Sequence, residues 1–209
     1  ETEVQLARQI QKTFLPEYLP EHPHWQMAAR WRTARQVGGD FYDVIELPEN
    51  RLGLFIADVS DKGMPAALFM ALTHTLVHAA ILETSSPAEA LRRVNALLYP
   101  DTHQGMFVTA AYAVLNLDSG ELTYANAGHN PPMWVRKDSI EKMTRTGMAL
   151  GVMEKSIFEE RSIKLAVGES VLFYTDGLTE GFSLEGDMFG EERILRALGW
   201  NESTSADEI

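Results

Sequence analysis

Between residues 65 and 83 the chain is apolar on most sides of a helix. A helix without a polar face has to be covered by other elements. Pro65 suits its first turn, because the missing N–H would have no helical partner there. Strand-like segments lie on both sides of this buried helix. Before it come 25–32, 41–47 and 52–58, with Val37-Gly38-Gly39 as a turn and Pro48-Glu49-Asn50 as a hairpin loop. After it, 107–117 and 121–127 flank the tight turn Asp118-Ser119-Gly120, and 133–136, 158–165 and 170–175 follow. A second helix opens at Ser86, with Glu89 three residues on as a capping box, runs through Leu91, Val94, Leu97 and Leu98, and stops near Pro100. A short helix over 191–198 ends at Gly199, and 201–209 could begin another. Two blocks of strands with two helices between them predict an α+β fold of mainly antiparallel sheets, not alternating βαβ units.

The first segment, 2–14, predicts a helix with Leu6, Ile10 and Phe14 on one face. Pro16, Pro20 and Pro23 then break it. It starts without a cap and is expected to continue upstream. Its apolar stripe has to be covered, either by its own domain or by a second copy in a homodimer built on a parallel helix pair. The division expected is therefore 1–24 as a regulatory or linker helix with a Pro-rich connection, and 25–209 as the folded domain.

A length of 209 residues suits one large domain or two small ones. The net charge of −12 argues against nucleic acid and anionic membrane as partners, because both repel an acidic surface. The absence of cysteine excludes disulfide frameworks, zinc–thiolate sites and cysteine nucleophiles, and fits a cytoplasmic location. No apolar run is read as approaching the ~18 residues of a membrane span.

Three segments put an aspartate beside glycine at a strand end or turn. They are Gly38-Gly39-Asp40-Phe41-Tyr42-Asp43, Ala57-Asp58-Val59-Ser60-Asp61-Lys62-Gly63 and Tyr174-Thr175-Asp176-Gly177. Asp in such places is common for turn geometry alone. Antiparallel pairing of 41–47 with 52–58, however, brings the start of one strand beside the end of the next, so Asp40 and Asp58 can be neighbours. Two carboxylates that close repel unless something neutralises them, and hard divalent ions with oxygen ligands do so. Arg35 can bind a substrate phosphate or pair with one of these carboxylates.

These segments resemble the PPM-type (type-2C-like) serine/threonine phosphatases of the bacterial stage II sporulation E (SpoIIE) and RsbU branch. The strings 34–43, 57–67 and 174–180 carry the likeness, supported by Asn126-Ala127-Gly128-His129-Asn130-Pro131-Pro132 and Met188-Phe189-Gly190, in order along nearly the whole chain. The resemblance implies an α/β/β/α sandwich with a binuclear Mn²⁺ or Mg²⁺ centre. It implies Asp40, Asp58, Asp176 and the Val59 carbonyl as metal ligands, and a metal-bound water as the nucleophile on phosphorus, with no side chain assigned as catalytic. Asp43, Asp61, Arg35 and Gly177 are candidates for holding waters around the metals or touching substrate. The substrate implied is phosphoserine or phosphothreonine on a small regulatory protein, an anti-sigma-factor antagonist in a partner-switching pathway, with a sensor domain upstream.

Members of the family usually end with a strand carrying a paired Asp-Asp and Thr, which supplies a further ligand. This sequence stops at Ile209 before such a strand, so the C-terminal strand is read as missing and the centre as incomplete. Where eukaryotic members carry His as a general acid, this chain has Asp58-Val59-Ser60. A catalytically impaired phosphatase-like interaction module is the alternative function. His129 reads as a loop residue buttressing the turn at Gly128. His74 and His78 have metal-ligand spacing on the apolar helix, but no carboxylate near them is apparent, which favours core or interface packing.

Overall fold

The computed structural model describes residues 3–102, 105–183, 186–198 and 205–207. Helix α1 (Glu3–Lys12) comes first, followed by strands β1 (Phe41–Leu47) and β2 (Arg51–Val59) and by helices α2 (Met64–Glu83) and α3 (Pro87–Leu98). Strands β3 (Val108–Asn116), β4 (Glu121–Ala127), β5 (Met133–Val135), β6 (Ile140–Lys142), β7 (Arg161–Lys164) and β8 (Ser170–Leu172) come next, then α4 (Asp176–Thr179) and α5 (Glu191–Ala197). The strands form two sheets, β1-β2-β3-β4-β7 and β6-β5-β8, in which every pairing is antiparallel.

The period of two along β2 builds three layers of packing. Phe55, Ala57 and Val59 point to a core shared with Phe69, Met70 and Val77 of α2 and Leu91 and Val94 of α3. Leu54, on the other face, packs between the sheets with Leu115, Leu122, Tyr124, Trp134 and Val171. Behind the small sheet, Met133, Val135 and Tyr174 meet Ile194 and Leu198. The result is the expected α/β/β/α sandwich. Helix α2 buries Ala66, Phe69, Met70, Thr73, Val77, Ala80 and Ile81. Each large apolar side chain buried there is worth about 1.5–3 kcal/mol. Ser86 caps α3 by accepting a hydrogen bond from the Glu89 N–H at 3.1 Å.

Several expectations are corrected. Residues 25–32 form no strand: burial alternates along them, but among the described residues their one pairing is an isolated bridge between Trp25 and His22. Alternation records one covered face, which an extended segment can have without a neighbour in register. The strand expected over 158–165 shortens to Arg161–Lys164, and β6 was not foreseen. At 20 residues and a mean hydropathy of 1.6, α2 is long and apolar enough to cross a membrane, contrary to the reading of the sequence. It packs instead across the five-stranded sheet. Gly199 and most of the tail 201–209 lie outside the described residues.

Helix α1 leaves Leu6 and Ile10 half exposed, while Phe14 packs against the α2–sheet core. Gln11 is its one buried residue. Its side chain donates to the Gly38 carbonyl at 2.6 Å and accepts from the Gly38 N–H at 3.1 Å, an amide pair that ties α1 to the turn before β1.

Candidate active site

The β1–β2 register pairs Phe41 with Ala57, so Asp40 extends the ladder opposite Asp58. Both lie on the face away from α2, because Phe41, Ala57 and Val59 occupy the other one. The Asp58 carboxyl faces that of Asp40 closely enough for a proton to be shared between them. From the far side of the sandwich, Thr175 donates its hydroxyl to Asp40 Oδ2 at 2.7 Å and sits at the N-cap of α4, whose first residue is Asp176. Gly177 lies against the same oxygen: a Cβ there would stand 3.6 Å from Asp40 Oδ2. The three aspartates, 118 residues apart between Asp58 and Asp176, thus converge at one end of the cleft between the sheets.

The backbone around them is tightly fitted. A Cβ on Gly39 would meet the Val59 carbonyl oxygen at 2.9 Å and Val59 Cβ at 3.0 Å, so only glycine fits here without displacing that carbonyl. Trp31 donates its indole N–H to the Asp40 carbonyl at 2.9 Å. The loop leaving Val59 is held to the residue just before β3 by two bonds: the Ser60 N–H donates to the Phe107 carbonyl, and the Ser60 hydroxyl accepts from the Phe107 N–H.

The electrostatics follow from this crowding. Burial, the hydrogen bond to Asp40 and the charges of Asp40 and Asp176 push the Asp58 carboxyl well above the usual carboxylate range, opposed only by Lys62. Asp176 is raised by burial and then by Glu180 and Asp40. Carboxylates held together against their own repulsion form a site in want of positive charge. The donor set is all oxygen, counting the Val59 carbonyl, and oxygen donors suit Mg²⁺ or Mn²⁺. The residues present therefore fit a hard divalent cation.

The remaining candidates are distributed differently. Arg35 is exposed, and its Nη1 lies 3.6 Å from where a Cβ of Gly63 would be, over the 60–63 loop. Asp61 is exposed, at a φ of 95°, and accepts a hydrogen bond from the Lys62 N–H at 2.7 Å, a turn-forming contact. Asp43 does not join the cluster: it shares the α2-facing side of β1 with Phe41 and lies beside His74 and His78. That corrects the reading of the two histidines as lacking a nearby carboxylate. His129 is also deeper than a loop residue. Its ring is fully buried and shares a hydrogen bond of 2.9 Å with Thr109, and burial lowers its pKa to about 4.

Sequence reasoning passed over Gln11, Trp31, Thr109 and Thr175. Thr175 stood inside the quoted Tyr174-Thr175-Asp176-Gly177 string. Its hydroxyl makes no helix-capping bond and goes to Asp40 instead, a partner that local sequence does not indicate.

Comparison with known proteins agrees with this architecture. A sequence model of the family described as stage II sporulation protein E (SpoIIE) matches residues 48–209. Protein IcfG of Synechocystis sp. is 34% identical over 98% of the chain, and phosphoserine phosphatase RsbU of Bacillus subtilis is 28% identical over 86% of it. The chain spans 37% of IcfG and 54% of RsbU. Among solved structures, the SiaA-PP2C domain of Pseudomonas aeruginosa superimposes over 97% of the chain and 81% of its own length, with a TM-score of 0.80 at 22% identity.

Proposed function

The chain belongs to the stage II sporulation protein E family, in the PPM-type branch that includes RsbU, and from that membership we propose that it is a metal-dependent protein serine/threonine phosphatase. The observation that carries the reading is the convergence of Asp40, Asp58 and Asp176 beside the Val59 carbonyl. These four groups would hold Mn²⁺ or Mg²⁺ in a binuclear site. When bound, the ions supply activation of water for attack on phosphorus and neutralisation of the phosphoryl oxygens.

The chain's own residues position that chemistry. Thr175 fixes the Asp40 carboxylate by donating its hydroxyl to Oδ2. Gly39 leaves room for the Val59 carbonyl, and Ser60 pins the loop that follows it. Lys62 contributes positive charge near Asp58 and Asp176. Arg35, exposed over the 60–63 loop, is suited to receive a phosphate from solvent.

The substrate we propose is phosphoserine or phosphothreonine on a small regulatory protein of the anti-sigma-factor antagonist kind. RsbU, a phosphoserine phosphatase of similar sequence, supports phosphoserine as the group removed. The exposed Leu6 and Ile10 of α1 offer a surface for a second copy, and the Gln11–Gly38 pair would carry a shift of α1 toward Asp40. The test is phosphate release from phosphoserine, phosphothreonine and phosphotyrosine peptides, with and without Mn²⁺. Release from the first two that requires Mn²⁺, and that disappears in Asp58→Ala, is expected. Metal-independent release, or wild-type turnover in Asp58→Ala, would refute the assignment.

A further inference from the structure

On the far side of the five-stranded sheet from the aspartate cluster, β1 and α2 bring a second set of ionisable groups together. His74 and His78 are four residues apart, and so lie one above the other on the same face of α2. Asp43, buried on β1, meets both. Its Oδ2 is hydrogen-bonded to His78 Nε2 and lies 3.3 Å from His74 Nε2. One ligand atom from each of the three residues falls within 4.8 Å of the others. His74 Nε2 is buried and makes no aligned hydrogen bond, although it faces the carboxylate.

We propose that Asp43, His74 and His78 form a binding site for one transition-metal cation of the zinc class, distinct from the all-oxygen cluster at Asp40, Asp58 and Asp176. Ligand bonds of ~2.0–2.1 Å at tetrahedral angles separate donors by roughly 3.3 Å, the spacing of His74 Nε2 and Asp43 Oδ2, whereas His78 Nε2, in closer contact with the same oxygen, would draw back to admit the ion. Two imidazoles and one carboxylate favour Zn²⁺ or Co²⁺ over Mg²⁺, which prefers oxygen. Three protein ligands leave a fourth position for water, and the surroundings provide one. The rings of Phe14 and Phe41 stand edge-on to His74, at 5.2 and 5.9 Å, and close the site on the protein side. The His78 side chain is 42% exposed and opens it to solvent. A cation here would bond His74 Nε2, which faces Asp43 at 3.3 Å without an aligned hydrogen bond, and neutralise a buried carboxylate. It would also clamp the middle of α2 to β1, next to the segment that leads from α1.

The inference stands on these three residues and does not depend on the proposed phosphatase activity. The 209-residue chain, stripped of metal, is titrated with Co²⁺ and followed by visible d–d absorption and thermal unfolding. The wild type is expected to develop a saturable tetrahedral spectrum at one equivalent, displaced by Zn²⁺ but not by Mg²⁺, with a rise in Tm. His78→Ala, at a partly exposed position, should keep the fold by circular dichroism and weaken Co²⁺ binding by tenfold or more, at least the ~10–100-fold typical of losing a supporting group. Asp58→Asn should bind as the wild type does. The double variant His22→Ala/His24→Ala removes the other close pair of imidazoles, whose rings are 6.0 Å apart, and should also leave the spectrum intact. An unchanged titration in His78→Ala, loss of the spectrum in Asp58→Asn or in the double variant, or no saturable spectrum in the wild type would overturn the proposal, leaving the cluster a proton-linked ion pair.

Discussion

Gly39→Ala tests whether the Val59 carbonyl matters as the geometry implies. The added Cβ would stand 2.9 Å from the Val59 oxygen, 3.0 Å from its Cβ and 3.3 Å from its nitrogen. Ordinary contact begins near 3.4 Å, so the carbonyl has to retreat by about 0.5 Å. Because the obstacle is backbone in a sheet, no side chain can swing aside. Overpacking of this kind costs about 1–3 kcal/mol. A ~1 Å misplacement at a reacting centre costs about 100-fold in rate, so half that distance scales to roughly tenfold. The Mn²⁺ concentration for half-maximal activity should rise and kcat fall, with the KM for a phosphoserine peptide less affected. Gly38→Ala is the control, because its Cβ would meet the Thr33 side chain, with the methyl at 3.0 Å and Cβ at 3.5 Å, and no backbone atom. Urea unfolding measures the stability loss and phosphate release the kinetic one. Wild-type metal dependence and stability in Gly39→Ala would refute the reasoning.

Gln11→Leu removes both bonds to Gly38 and leaves a part-buried N–H and C=O unpaired. A loss of about 1–3 kcal/mol in urea unfolding is expected, with weaker Mn²⁺ activation, whereas an unchanged midpoint would make the pair incidental. His129 carries a pH dependence. Its folded pKa of about 4 lies below the ordinary 6.5, because burial disfavours the charged ring. The unfolded chain therefore binds the extra proton first. The stability this residue contributes is full above about pH 6.5 and is lost as pH falls toward 4, by up to ~3 kcal/mol. Urea midpoints between pH 7 and pH 4.5 should fall more steeply in the wild type than in His129→Gln, and parallel curves would contradict the assignment. Leu6→Asp/Ile10→Asp should lower any self-association seen by sedimentation without lowering Tm, since both side chains are already half exposed.

What the sequence discloses is mostly what short-range pattern controls. The loop at Pro48-Glu49-Asn50 and the alternation on either side set the β1–β2 register, and with it the opposition of Asp40 and Asp58. The all-round apolar character of α2 showed that it had to be covered, without saying by which element. The period of two also excluded Asp43 from the aspartate cluster, since residues three apart on a strand face opposite sides; that signal was present and unused. Its pairing with His74 and His78 spans 31 and 35 residues and depends on how α2 crosses the sheet, which local pattern does not specify. The Thr175–Asp40 bond spans 135 residues and joins the two halves of the sandwich in the same way. At 25–32 the pattern misled, because alternating burial reports a covered face and not a hydrogen-bonded neighbour.

The central claim is that Asp40, Asp58 and Asp176 together hold the divalent ion on which phosphate release depends. Calorimetric titration of the metal-free chain with Mn²⁺, run beside Asp58→Asn and Asp176→Asn and paired with turnover on a phosphoserine peptide, tests it most directly. The account predicts saturable binding in the wild type that weakens sharply in each variant, with turnover falling in step. Wild-type Mn²⁺ affinity in Asp58→Asn, or turnover that persists after its metal binding is lost, would contradict it.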